Sequence, residues 1–257
     1  MSRMQLDIHK PYRSKKDKKS IKIFISCEGV TEEEYFKMIK IFFQQIRTRI
    51  EFVSVMEEIL DIPDENRTQE QKDILNNSSP LQLVRNIDYF KSNPKNIKKY
   101  DFKNHPDDEF WIITDVDKHT QSSHLQGWVE MMKECRSKGY NYSVSNPFFE
   151  LWLLLHHDDT NLDANDNEND IQWAVTDKCP YRTTNHFKRR LSNLGVPLKN
   201  DKHITTAHYD KDKVNKAIER AKKLDTPPCK DYPRTLGTTV YKLLEKITDI
   251  EKQYNDN

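Results

Sequence analysis

The chain has 257 residues, 42 Lys+Arg against 41 Asp+Glu, and a formal net charge of +1; that length fits one domain, or a core with a small appendage. Hydrophobic residues make up 35% and aromatics 10%, so large apolar side chains build a core while leaving room for polar insertions, which excludes disorder of the whole chain. No apolar run reaches the roughly 18 residues of a membrane span, the first residues lack a signal core, and near-neutral charge confines any nucleic-acid surface to a local patch.

Four scattered cysteines (Cys27, Cys135, Cys179 and Cys229) form no C-x-x-C pair. This argues against a zinc site or a disulfide framework and predicts a cytoplasmic protein.

Residues 1–20 read as a basic N-terminal arm. Residues 10–22 carry seven Lys/Arg and one Asp, either a solvated leader or an arm that contacts phosphate. Residues 21–27 (IKIFISC) predict a strand buried on both faces, hence a central parallel one. Glu28–Thr31 predict a turn, with Thr31 as N-cap of a helix from Glu32 to about Arg47. Residues 50–55 predict a second strand. A polar insertion follows over about 61–108, a loop broken by a short helix at 81–90. Residues 109–114 predict a third strand, ending in Asp115-Val116-Asp117. A helix near 124–138 and a strand at 140–145 follow.

Residues 146–156 form the most apolar run and predict a buried helix with Pro147 in its first turn. Residues 158–170 hold six Asp/Glu and no Lys/Arg, an acidic loop. Helices are predicted at about 183–194, 211–224 and 238–254. The alternation predicts an α/β core with a mostly parallel sheet over 21–160 and a helical C-terminal part over 161–257 packed on it.

The chemistry concentrates at two strand ends, Glu28-Gly29 and Asp115-x-Asp117. In an open parallel sheet, ligands bind outside the carboxyl ends of the strands. Three carboxylates gathered there raise a pKa or require a cation, and hard oxygen ligands suit Mg2+ or Mn2+. Gly29 permits a tight turn and close approach of a ligand. Glu32 adds either an oxygen to the metal shell or a carboxylate for the helix dipole. Glu150, set in an apolar helix, needs a partner: a metal or water in the crevice, or a structural hydrogen bond such as one to Asn146. Trp152 reads as core, and His156 and His157 as residues suited to a helix C-terminus. Lys118 and His119 contact phosphate or lie in a solvated loop. Lys211 by itself reads as a surface helix residue.

The blocks IFISCEGVTEEEYF (23–36), FWIITDVDKH (110–119), VSNPFFELWLLLHH (144–157), HYDKDK (208–213) and PRTLGTTVYKLLEKI (233–247) together resemble the RloB-like family of bacterial defence proteins. The Glu-Gly and Asp-x-Asp blocks are shared with Toprim domains generally, and the Ser-Asn-Pro-x-x-Glu-x-Trp block is particular to this family. The resemblance implies a Toprim-like core, with Glu28, Asp115 and Asp117 as metal-site carboxylates. It implies an Mg2+- or Mn2+-dependent nuclease acting on DNA or RNA (tRNA included) as an abortive-infection effector. It also implies a partner ATPase of ABC-type or SMC-like fold. The catalytic set is then Glu28, Asp115, Asp117, Glu150 and Lys211, the last resembling a family position that would neutralise transition-state charge, and the metal set is Glu28, Glu32, Asp115, Asp117 and Glu150. The alternatives are a non-catalytic nucleic-acid-binding or effector subunit docked on that ATPase, or nucleotidyl transfer, for which the chain carries no dedicated nucleotide signature.

Overall fold

The computed structural model describes residues 21–76, 79–116, 125–157, 186–196 and 204–255. The basic arm, Asp117, Lys118, His119, Cys179 and the acidic stretch 158–170 lie outside them. Among the described residues the chain is an α/β protein with a five-stranded sheet and ten α-helices. The strands are β1 (Ile23–Cys27), β2 (Ile50–Phe52), β3 (Glu109–Asp115), β4 (Asn141–Asn146) and β5 (Gly237–Thr238). The helices are α1 (Val30–Phe42), α2 (Val55–Leu60), α3 (Gln69–Asn76), α4 (Pro80–Ser92), α5 (Pro94–Tyr100), α6 (Leu125–Lys138), α7 (Glu150–Leu154), α8 (His186–Asn193), α9 (Lys211–Leu224) and α10 (Val240–Asn255).

The strand order is β2-β1-β3-β4-β5, with parallel pairs except the antiparallel β4–β5. The chain steps from β1 to β2 in one direction and from β3 to β4 in the other. Right-handed crossovers then place the connecting helices on opposite faces. The cores show this division. Ile23 and Ile25 of β1, with Trp111 and Ile113 of β3, pack with α1, α7, α9 and α10. Phe24, Phe110 and Ile112 face the other way and pack with α4 and α6. Alternate residues of one strand therefore serve two cores, which is why β1 and β3 read as unbroken apolar runs.

The flanking helices bury stripes at helical spacing: Trp128, Met131, Met132 and Cys135 on α6, Val214, Ala217, Ile218 and Ala221 on α9, and Val240, Leu243, Leu244 and Ile247 on α10. Each large aliphatic or aromatic side chain buried this way contributes roughly 1.5–3 kcal/mol. Phe24 meets the rings of Phe90, Tyr100, Phe102 and Phe110, so Phe24→Ala costs roughly 3–5 kcal/mol.

Several expected boundaries move. Gly29, not Thr31, is the N-cap of α1. The second strand stops at Phe52 and α2 follows it; within the polar insertion the expected short helix is α4, and α3 and α5 are added on either side of it. Short amphipathic turns carry too few apolar positions to announce themselves in a charged background. Pro147 does not enter a helix. Residues 147–149 form a turn after a cis Asn146–Pro147 peptide, and α7 begins at Glu150. The last helix starts at Val240, behind the two-residue strand β5. No helix of the described residues is long and apolar enough to cross a membrane, and Cys27, Cys135 and Cys229 are free thiols.

Candidate functional site

The sheet changes winding direction between β1 and β3, which opens a crevice beyond their carboxyl ends. Glu28 follows β1 directly. Its N–H donates to the Ile113 carbonyl at 3.1 Å, so the ladder with β3 runs one residue past the strand. Its Oε2 accepts from the Thr114 hydroxyl at 2.5 Å and from the Asp115 N–H at 3.2 Å. Glu28 is exposed at the crevice mouth, and these two donors from the neighbouring strand set its direction.

Asp115 closes β3. Burial is the main force raising its pKa well above the usual carboxylate range, followed by the charges of Glu32, Glu150 and Glu28; the Phe149 N–H opposes them. Phe149 belongs to the turn at 147–149 that precedes α7. The Asp115 Oδ1 is buried without a hydrogen-bond partner.

Glu32 lies in the first turn of α1 and is only 6% exposed. Burial, with the charges of Glu150 and Glu28, pushes its pKa up to about 7, against its own backbone amide and Lys188. Its Oε2 is also buried and without a hydrogen-bond partner. The residue is more than a dipole carboxylate, which would sit in water. Gly29 has an extended φ of -137°, open to any residue. Its lack of a side chain matters for space instead, since a Cβ there would stand 2.7 Å from the Glu32 Oε2.

Glu150, 5% exposed at the start of α7, pairs with Lys188 of α8 at 3.0 Å. Asn146 donates instead to the Pro233 carbonyl at 2.8 Å. The structure thus gathers Glu28, Glu32, Asp115 and Glu150 from β1, α1, β3 and α7 into mutual electrostatic reach. Lys188, absent from the sequence reading, joins them. No spacing rule links Lys188 to Glu150, and its signal in the sequence is only the basic run Lys188-Arg189-Arg190.

Lys211 is placed elsewhere. Its ammonium pairs with Glu251 at 2.6 Å and lies 4.8 Å above the Phe43 ring, just past the far end of α1. Phe43 is 11 residues beyond Glu32, a separation of about 16 Å at helical rise. Trp152 is core, as expected. His156 lies just past the C-cap of α7, as expected, and is buried: its Nδ1–H donates to the Trp152 carbonyl at 2.9 Å, leaving Nε2 to accept from the Tyr35 hydroxyl at 3.1 Å.

The donor chemistry fits a hard divalent cation. Two buried carboxylate oxygens without hydrogen-bond partners, among four mutually repelling acids, must bind protons or a cation. Among the described residues no group of three or more His, Cys, Asp or Glu is placed to hold a metal ion.

Fold and crevice together define a doubly wound α/β protein with an acidic site at its winding reversal. The chain belongs to the RloB-like protein family, which it matches over residues 23–247. Neither the curated proteins nor the solved structures contain a match.

Proposed function

We propose that this chain is a divalent-metal-dependent nuclease with a Toprim-like core that hydrolyses nucleic-acid phosphodiester bonds. In this reading it works in the cytoplasm as an anti-phage, abortive-infection effector beside an ABC-type or SMC-like ATPase. One observation carries the reading: the Glu32 Oε2 and Asp115 Oδ1, both buried and without a hydrogen-bond partner, in a four-acid cluster where an open sheet binds ligands. Family membership and the Glu-Gly and Asp-x-Asp blocks support it.

Glu28, Glu32, Asp115 and Glu150 would hold Mg2+ or Mn2+, with Asp117 the further carboxylate implied by resemblance. A cation bound there supplies an acidified water and positive charge for phosphoryl oxygens. The chain's own groups prepare the site. Thr114 and the Asp115 amide fix Glu28 at the mouth, and the Phe149 amide orients Asp115. Lys188 steadies Glu150 and sets an ammonium, 38% exposed, beside the acids to meet phosphate charge. Glu32, with its pKa near 7, holds or releases a proton at neutral pH.

The second reading, a non-catalytic subunit docked on the ATPase, is favoured by one observation: among the described residues no group of three or more His, Cys, Asp or Glu is placed to hold a metal ion. A cleavage assay separates the two. The purified chain is incubated with Mg2+ or Mn2+ and supercoiled DNA, single-stranded DNA or total tRNA. Metal-dependent cleavage lost in Glu28→Ala and Asp115→Ala supports the nuclease. Absence of cleavage from every substrate, with an ATPase complex that survives both changes, replaces it with the second reading.

A further inference from the structure

The chain is nearly neutral, and its lysines mostly stand against acids: Lys37 with Glu33, Lys138 with Asp88, Lys222 with Glu245 and Lys246 with Glu109. The outer flank of β2 differs. Lys22 just before β1, Lys40 from the last turn of α1, Arg47 from the 3-10 turn before β2 and Lys99 from α5 lie along it, with the charges of Lys99, Arg47 and Glu51 in electrostatic reach of Lys40. Both oxygens of Glu51 are engaged, Oε1 by Lys22 at 3.3 Å and Oε2 by the Tyr100 hydroxyl at 3.3 Å. Lys99 donates to that hydroxyl at 2.7 Å. Lys40 lies 5.4 Å above the Phe52 ring. Burial and the like charges of Lys99 and Arg47 pull its pKa below the usual lysine range, with Glu51 only partly opposing. Among the described residues neither Lys40 nor Arg47 forms an ion pair.

Lys40 carries its charge among the like charges of Lys99 and Arg47, which repel it. The arrangement gains stability when a polyanion covers it. The aromatic rings beneath them are buried or half-buried, so the flank offers charge without a stacking platform. That suits a sugar-phosphate backbone read independently of sequence.

We propose that the β2 flank, through Lys40, Arg47 and Lys99, holds the phosphodiester backbone of a nucleic acid and feeds it toward the acidic crevice. The inference rests on the nuclease reading and deepens it. Lys40 and Glu32 share α1, eight positions apart, which is about 12 Å at helical rise. A strand advancing about 3.4 Å per nucleotide covers that distance in roughly four nucleotides. The flank is therefore a holding surface beside the site and not part of it.

The test is binding of the full chain to fluorescent single-stranded DNA and RNA in EDTA, where no metal-dependent cleavage occurs, over a range of salt. The double variant Lys40→Gln, Arg47→Gln is compared with Lys222→Gln, Lys252→Gln, which removes the same charge from paired sites. The flank variant is expected to weaken binding roughly tenfold for either nucleic acid and to flatten the log–log salt slope by about 1.5, while the control and the thermal midpoint stay close to wild type. A flank variant that binds within about twofold of wild type, with an unchanged slope, overturns the flank and leaves the nuclease reading standing. A wild-type chain that binds neither nucleic acid overturns the flank outright. Charge-dependent binding at the flank without cleavage in any metal supports the flank and removes the nuclease.

Discussion

The Glu32 carboxylate folds back over Gly29 so closely that a Cβ at residue 29 would stand 2.7 Å from Oε2. The glycine and the acid form one unit, in which the missing side chain is the space the carboxylate fills. Gly29→Ala is expected to leave the fold intact, because the backbone there is extended, but to push the buried carboxylate aside. Mn2+ affinity should fall roughly 10–100-fold, as when a supporting contact at a metal site is lost, with stability within about 1 kcal/mol of wild type. Calorimetric titration with Mn2+ and thermal melting of the same sample check both halves. An alanine variant with wild-type Mn2+ affinity contradicts the role given to Glu32.

Glu32 also sets a pH dependence. Its pKa rises from 4.5 to about 7 on folding, so the folded state binds the proton more tightly. The associated stability is complete below the unfolded pKa and is lost as pH rises through about 7. The shift corresponds to at most about 3 kcal/mol. Glu32→Gln should abolish this loss, so above pH 7 the metal-free variant melts higher than wild type. Millimolar Mg2+ should raise the wild-type midpoint and leave the variant nearly unmoved. Identical pH profiles for the two proteins count against it.

His156 acts in the opposite direction. It is 1% exposed, and burial chiefly lowers its pKa from 6.5 to about 3. The neutral ring is the folded form. Stability therefore falls as pH drops below 6.5 and continues to fall toward 3, by up to about 1.4 kcal/mol per pH unit. Between 6.5 and 4.5 this loss opposes the gain from Glu32. Urea midpoints of His156→Gln against wild type across that window isolate it. The variant starts less stable at pH 8 and should lose less on acidification, and parallel curves refute the assignment.

Arg220 of α9 donates from one guanidinium nitrogen to the carbonyls of Leu155 and His157, both at 2.7 Å. These are carbonyls at the end of α7 that the helix itself leaves open. Arg220→Ala is expected to destabilise by about 1–3 kcal/mol. Because Glu150 begins the same helix, Mn2+ affinity should fall as well. Denaturant midpoints and metal titration measure the two effects, and loss of stability with unchanged affinity would confine Arg220 to a structural role.

How much of this was legible in the sequence depended on how local the cause is. β1 and β3 bury alternate residues in two cores, so they read as unbroken apolar runs. Glu28 and Asp115 could be placed because each directly ends such a run. The stripes of α6, α9 and α10 follow the helical period. The start of α7 was not legible, since Pro147 suits a first helical turn by local preference, whereas residues 147–149 turn and the helix begins at Glu150. The Lys188–Glu150 pair joins helices no spacing rule connects. Lys211 offered a cation of the right type, but its place is fixed by Glu251 and Phe43, at the other end of α1. The two residues of β5 are too few to show an alternation.

The short β5 has a consequence for assembly. Gly237 and Thr238 cover the outer side of β4, and Thr239 extends the contact: its N–H donates to the Val144 carbonyl at 2.9 Å, and its Oγ1 accepts from the Val144 N–H at 2.8 Å. Ile247 of α10 shares a core with Ile23 of β1, so β1 waits for a helix made more than two hundred residues later. A nascent polypeptide halted before Gly237 would present β4 as an open template for strand pairing between molecules. Folding of this layer is thus coupled to synthesis of the chain through β5 and α10.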